Sequence, residues 1–230
     1  MRAMILAAGL GTRLRPITDK IPKALVEVDG ITLLEHSVNH LKKYGITQII
    51  INVHHFAGQV IDYLRMNNDF GLELSISDES DELLDTGGGL NKASWFFDDG
   101  LPFLIRNVDV LSDLDLYKLI EYHGNCEGLA TLVVRERETS RYLIFDDKLQ
   151  LSGWENKKTG EKKVTRRTPI EKRELAFSGI QVLDPKIFNF ITETGKFTLT
   201  GMYLRLSADH KIIGFFDKDS YWRDAGKKVL

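Results

Sequence analysis

Apolar positions along this chain switch repeatedly between two patterns. Met4–Ala8 is apolar at consecutive positions, which predicts a strand buried on both faces. Thr32 and Glu35 stand at capping-box spacing, Leu34, Val38 and Leu41 recur at helical period, and Gly45 fits the residue just past that helix. Ile49–Val53 reads as a β-branched strand, Ala57–Met66 as a helix and Leu72–Ser77 as a strand. Gly88–Phe97 then reads as a helix and Phe103–Ile105 as a further buried strand. Strands separated by helices predict βαβ units, right-handed crossovers and a mainly parallel sheet.

Beyond residue 125 the texture changes. Leu129–Val134, Tyr142–Phe145 and Lys148–Trp154 read as strands of an antiparallel meander, and the Lys- and Arg-rich Asn156–Thr168 as an exposed loop or hairpin tip. Ala176–Leu183 is a strand stopped by Pro185, Leu199–Leu206 is helical, and Ile212–Phe216 and Tyr221-Trp222 are short strands. The expectation is an α/β fold, three-layer αβα and Rossmann-like, with a mainly parallel central sheet. Residues 1–230 form one domain in this reading, with an antiparallel insertion over 135–180.

Composition narrows the class. Hydrophobic residues at 43% and charged residues at 28% exclude a disordered tail, a fibre and a multi-span membrane protein. The formal charge of -2 argues against duplex nucleic acid as a partner. No window approaches the ~18 apolar residues of a membrane span, so no membrane partner is expected. Ala3–Ala8 leads straight into Gly9, Gly11, Arg13 and Arg15, which reads as a strand and its turn and not as a signal peptide. Cys126 stands alone, which excludes an internal disulfide and a cysteine zinc cluster and points to a reducing, cytoplasmic setting. A monomer or a homodimer is expected.

Candidate chemistry concentrates in Leu6-Ala7-Ala8-Gly9-Leu10-Gly11-Thr12-Arg13, continuing to Pro22-Lys23. A glycine turn after a buried first strand presents backbone N–H groups to an anion at the carboxyl edge of the sheet. A dinucleotide fingerprint would place glycine where Leu14 stands, and a P-loop would need Gly-Lys-Ser/Thr, so neither fits. Arg13 and Lys23 follow the turn as a forked phosphate ligand and a movable point charge. Singly, Arg13, Arg15 and Lys20 read as solvated loop residues; with the strand and glycines they favour phosphate binding. Asp109 ends a buried strand, where a carboxylate can hold a metal bound to phosphates, while Asp113 or Asp115 could cap a helix. His54 and His55 are adjacent on a strand and face opposite ways, and the aromatic residues read as core.

Leu6–Lys23 resembles the signature of the sugar-1-phosphate nucleotidyltransferases, which make nucleotide sugars. The resemblance implies that Leu6, Ala7, Ala8, Gly9, Gly11, Thr12 and Arg13 hold the triphosphate and that Arg13 and Lys23 act at the reacting phosphate. Leu84-Asp85-Thr86-Gly87-Gly88-Gly89-Leu90 is similar to the family's second nucleotide loop, implying roles for Asp85, Thr86 and Gly87, with Asn107 beside them. Asp109 and Asp224, the latter in Tyr221-Trp222-Arg223-Asp224-Ala225-Gly226, match the two Mg²⁺ ligands. Phe177-Ser178-Gly179-Ile180 resembles the sugar-side strand, assigning Ser178 and Gly179, and Glu155 in Trp154-Glu155-Asn156-Lys157 stands in for the family's Glu-Lys-Pro motif. Glu27 replaces a usual proline and Val108 a usual glycine.

The implied substrates are a nucleoside triphosphate and a sugar 1-phosphate. The later motifs most resemble the branch that joins UTP to N-acetylmuramic acid 1-phosphate in cell-wall recycling. Guanylyl transfer to a mannose or heptose 1-phosphate, and a non-catalytic binding or sensing module, remain the alternatives.

Overall fold

The computed structural model describes residues 1–166 and 172–226; Arg167 and Thr168, the end of the basic loop, lie outside the described residues. Strand β1 (Arg2–Leu6) leads into the glycine turn, followed by a hairpin of β2 (Glu27–Val28) and β3 (Ile31–Thr32). Helix α1 (Leu33–Lys43), β4 (Gln48–Val53), α2 (Ala57–Met66), β5 (Glu73–Asp78) and α3 (Asp85–Lys92) come next. After them come β6 (Phe103–Asn107), β7 (Val110–Ser112), α4 (Leu116–Cys126) and β8 (Ala130–Arg135). The remainder is β9 (Arg141–Phe145), β10 (Leu151–Asn156), β11 (Lys162–Val164), β12 (Arg173–Leu183), α5 (Leu199–Leu206), β13 (Ile212–Phe216) and β14 (Trp222–Asp224).

Strands β5, β4, β1 and β6 lie side by side and parallel. Strand β12 runs antiparallel beside β6, with β8 and then β13 beyond it. Because side chains alternate along a strand, Ala3 and Ile5 enter one core and Met4 the other. Helices α1, α2 and α4 cover the first face through Leu34, Val38, Leu41, Val60 and Leu119. Helices α3 and α5 cover the second through Leu90, Met202 and Leu206. These are the three expected layers. Truncating fully buried Leu41 or Ile51 to alanine would cost about 2–5 kcal/mol. No described helix is long and apolar enough to cross a membrane.

The boundaries teach where tertiary contacts override pattern. Thr32 caps α1 by accepting from the Glu35 amide, but Glu35 does not return the bond; its carboxylate accepts from Tyr63 Oη at 2.9 Å. Helix α3 begins at Asp85 and not at Gly88, because the Phe197 carbonyl accepts the Gly87 and Gly88 amides and extends the first turn. Helix α4 falls where no helix was expected, although Leu116, Leu119 and Ile120 recur at helical spacing and Asp115, one of the two cap candidates, accepts from the Tyr117 and Lys118 amides.

Strand β12 serves three partners. Arg173–Leu175 pairs with β9, which continues into β10 and β11, while later residues pair with β8 and β6. The register breaks between Phe177 and Gln181 around Gly179, whose φ of 79° is left-handed. A side chain there would be strained and would also meet Val110 Cγ2 at 2.7 Å. This bend turns the antiparallel strands away from the parallel sheet at the edge of the site.

Candidate active site

The first turn is fixed by a side chain, not by its own backbone. The Ala7 amide donates to Asn52 Oδ1 at 2.7 Å, and Asn52 Nδ2 donates to Glu79 Oε1 at 2.7 Å. Glu79 Oε2 accepts from the Leu84 amide at 3.1 Å. One buried chain of bonds therefore ties the Ala7-Ala8-Gly9 turn to the Leu84-Asp85-Thr86 loop across strand ends. Burial pushes the Glu79 carboxyl above its usual range, while its bonds from Asn52 and Leu84 pull the other way. Between the two loops lies a cleft of about 290 Å³, lined by Leu6, Ala8, Gly9, Asn52, Asp85 and Asn107 among others.

Four charged groups close one end of this cleft. Strand β14 pairs with β7 so that Asp224 stands opposite Val110, and the Ala225 amide donates to the Asp109 carbonyl at 2.9 Å. The terminal segment is pinned further by Tyr221 N–H to Asp113 Oδ1 and Trp222 Nε1 to the Ser178 carbonyl, each 2.8 Å. Arg137 lies over the Trp222 ring at 4.4 Å. Asp109 and Asp224, 115 positions apart, are thus brought to one guanidinium: Arg13 Nη2 is 3.9 Å from Asp109 and Nη1 3.6 Å from Asp224. Lys23 pairs directly with Asp109. At Gly226 a Cβ would overlap both Asp109 Oδ2 and Lys23 Nζ, so glycine is what allows the segment this close.

The donor set suits Mg²⁺. Asp109 and Asp224 offer hard carboxylate oxygens, and no third histidine, cysteine, aspartate or glutamate completes a metal cage among the described residues. Mg²⁺ is commonly held by one or two carboxylates and completed by phosphates and water.

Past Asn107 the cleft opens into a cavity of about 140 Å³ lined by Leu6, Thr86, Leu132, Phe177, Gln181 and Tyr203 among others. This in turn adjoins, through Leu143, Phe177 and Thr200, an outer groove of about 370 Å³. Arg137, Arg141 and Lys163 line that groove, and among the described residues no acidic side chain does.

Several sequence-assigned residues lie elsewhere. Glu155 follows Trp154, which lines the outer groove; alternation turns the Glu155 carboxylate to the other side, where Lys157 and Lys162 pair with it at 3.1 and 3.2 Å. Ser178 and Gly179 form the bend beneath the groove, packed behind Asn107, and do not line it. Gly87 is buried with its Cα against the Phe197 ring, so Asp85 and Thr86 alone of that trio face the cleft. Thr12 and Arg13 begin an exposed 3₁₀ turn at the mouth, and Gly11 is held there by Thr18 Oγ1 donating to its carbonyl. Asn52, Glu79, Arg137, Gln181 and Tyr203 were missed. Only Asn52 carried a signal, as the one polar residue within the buried run Ile49–Val53.

Comparison with known proteins identifies the family. A UTP–glucose-1-phosphate uridylyltransferase of Synechocystis is 30% identical over 99% of this chain and 60% of the relative. An N-acetylmuramate alpha-1-phosphate uridylyltransferase of Caulobacter vibrioides is 31% identical over 92% of this chain and 86% of its own length. The chain thus spans less than two thirds of the first relative and most of the second. Among solved structures, a UDP-glucose pyrophosphorylase complexed with UDP-glucose superposes with a TM-score of 0.78 at 17% identity, covering 98% of this chain and 93% of that one. The nucleotidyl transferase family model matches residues 2–229, and the chain belongs to that family.

Proposed function

We propose that the chain transfers a nucleotidyl group from UTP to N-acetylmuramic acid 1-phosphate, releasing pyrophosphate, as a cytoplasmic step in reuse of cell-wall sugars. The observation that carries the transfer chemistry is the meeting of Arg13, Lys23, Asp109 and Asp224 at the end of the glycine-turn cleft. A sugar phosphate has a second pKa near ~6, so at neutral pH its oxyanion is already a nucleophile and needs no general base. It attacks the α-phosphorus, a new P–O bond forms, the bond to the β-phosphate breaks, and pyrophosphate leaves with the electron pair. The difficulty is bringing two anions together. Arg13 and Lys23 offset that repulsion and hold the phosphates for in-line displacement. Asp109 and Asp224 would hold a Mg²⁺, which supplies further charge neutralisation when bound.

The choice of acceptor rests on the outer groove. Its three cations, with no acidic side chain lining it among the described residues, favour a sugar that carries a carboxylate in addition to its phosphate. The Caulobacter relative, named for N-acetylmuramate, supports the same choice. Pyrophosphate release from four nucleoside triphosphates against N-acetylmuramic acid, N-acetylglucosamine, glucose and mannose 1-phosphates tests it. UTP with N-acetylmuramic acid 1-phosphate should give the largest kcat/KM; GTP with mannose 1-phosphate in that position would replace the reading, and no turnover in any pair would favour a binding module.

A further inference from the structure

Behind the junction of the two carboxylates, α1 and β6 hold the segment Val108–Leu114 by its carbonyls. The Val108 amide donates to the Leu6 carbonyl at 3.1 Å, and the Val108 carbonyl accepts from Ser37 Oγ at 3.3 Å. One residue on, the Asp109 carbonyl takes the Ala225 amide. The Val110 carbonyl takes Arg106 Nη2, and the Leu114 carbonyl takes His40 Nε2 at 2.9 Å. Arg106 Nη1 donates to His40 Nδ1 at 2.7 Å, so the two side chains form one brace. Ser37 and His40 stand three positions apart and share a face of α1.

This brace lies under both carboxylates. Asp109 sits between the two carbonyls that Ser37 and Arg106 hold. Asp224 reaches the site through the pairing of β14 with β7, where it stands opposite Val110. A shift of Val110 would therefore move both. Arg106 is a costly residue to keep in this place. It is 1% exposed, its hydrogen bonds go to neutral groups, and its Nε has no partner. Burial pushes its pKa down to about 10, opposed by the charge of Asp109, so the guanidinium stays charged at neutral pH. Leu104, two positions earlier and on the same face of β6, is apolar and fully buried. Packing alone would favour a second such side chain over a buried ion without a counter-ion. What the guanidinium adds is direction, because its rigid fork fixes the Val110 carbonyl relative to α1. We propose that Arg106 is a positioning residue for the transfer reaction, acting through the Val110 carbonyl to keep Asp109 and Asp224 in register with each other. Arg106 itself does not line the cleft. The inference rests on the nucleotidyl-transfer reading above and extends its machinery to a residue beneath the sheet.

Arg106→Met removes the charge and both bonds while keeping apolar volume. Arg106→Lys keeps one charged donor, and Ser37→Ala removes only a hydroxyl. Val38→Ala, on the same helix, loses buried apolar volume but no hydrogen bond to the segment, and controls for loosened packing. Thermal unfolding reports how far each variant is destabilised. Mn²⁺ binding is read by electron paramagnetic resonance with whichever of the four nucleoside triphosphates the wild type binds, which needs no turnover. Values of kcat and KM for that triphosphate follow in parallel. Arg106→Met should weaken Mn²⁺ binding about 10-fold and lower kcat about 10-fold, with KM within ~3-fold, as loss of a group that orients metal ligands implies. Ser37→Ala should weaken Mn²⁺ binding about 3-fold, for one long hydrogen bond, and Arg106→Lys should fall between the two. Val38→Ala should lower Tm yet leave Mn²⁺ affinity within ~2-fold. Wild-type Mn²⁺ affinity and kcat in Arg106→Met overturn the proposal, whatever the Tm. So does an equal weakening in Val38→Ala. If Arg106→Met does not fold, Arg106→Lys and Ser37→Ala decide, and unchanged Mn²⁺ affinity in both overturns it. Weakened Mn²⁺ binding in Arg106→Met, where the wild type turns over no sugar 1-phosphate, would retain the brace and overturn the transfer reading instead.

Discussion

On the side of the groove proposed to hold the nucleotide, the facing groups sit at the ends of elements: Ala8 and Gly9 after β1, Asp85 and Thr86 in the first turn of α3, Asp109 after β6. On the acceptor side they project from the middle of elements: Trp154 from β10, Phe177 and Gln181 from β12, Tyr203 from α5. The first arrangement makes backbone amides and short acidic side chains available, which suits phosphate. The second presents shape and a few side-chain donors, which suits a sugar. The two sides also differ in how they are fixed. The nucleotide loops are tied by bonds from Asn52 and Glu79 to main-chain amides, whereas the acceptor wall is held by packing around the Gly179 bend and by Trp222 bonding the Ser178 carbonyl.

Removing a carboxylate from the junction of the two sides should have the largest effect. Asp109→Asn and Asp224→Asn keep size and lose one negative charge each. Each single variant should lower kcat by at least ~100-fold, as losses around a metal commonly do. The double variant should lose little more than the worse single one, because the pair acts as a unit. Near-normal turnover in either variant at saturating Mg²⁺ would remove these residues from the mechanism.

The same contrast explains what could be read in advance. Strand β1 was legible as an apolar run, although it spans Arg2–Leu6 and not Met4–Ala8, α2 and the parallel order were legible from the alternation of strand and helix signals, and Gly9, Gly11, Arg13 and Lys23 were legible because they are close in sequence. Asp109 and Asp224 could be paired only through the family resemblance; the sequence contains nothing local that joins them, and the antiparallel β7–β14 pairing does so in three dimensions. The acceptor side was largely illegible. Gln181 and Tyr203 occupy positions whose periodicity reads as ordinary core, and which of Trp154 and Glu155 faces the groove depends on the pairing of β10 with β9. The glycine triplet has a packing reason that was illegible in the same way. Gly87 is small because Phe197 fills the space beside it, a partner 110 positions away.

A smaller and one-sided effect should follow from Asn52→Ala. It leaves the Ala7 amide and Glu79 Oε1 without their shared partner, loosening both nucleotide loops but nothing on the acceptor side. The KM for the triphosphate should rise about 10-fold, in line with one or two lost hydrogen bonds. The KM for the sugar 1-phosphate should stay within ~2-fold. Equal rises for both substrates would show that the two sides are mechanically one, against the contrast drawn above.

The smallest effect concerns stability and lies behind the site, where Arg106 is fully buried in β6. Its guanidinium bonds His40 Nδ1 at 2.7 Å and the Val110 carbonyl, and His40 Nε2 meets the Leu114 carbonyl at 2.9 Å. Accepting from Arg106 requires a neutral ring, and burial followed by the Arg106 charge pushes His40 down to about 4. Unfolding restores a value near 6.5, so between these limits the unfolded chain binds the extra proton. Stability is therefore complete above pH 6.5 and falls as the pH drops towards 4. At pH 5.5 the loss from this residue is about 1 kcal/mol, which corresponds to a Tm lower by about 2–4 °C than at pH 7.5. Burial lowers His123 as well and adds in the same direction. His40→Gln keeps an acceptor for Arg106 and a donor for Leu114 but cannot titrate. The variant should show a shallower decline of Tm over this range, and a slope identical to the wild type would mean that His40 is not the group sensing the acid.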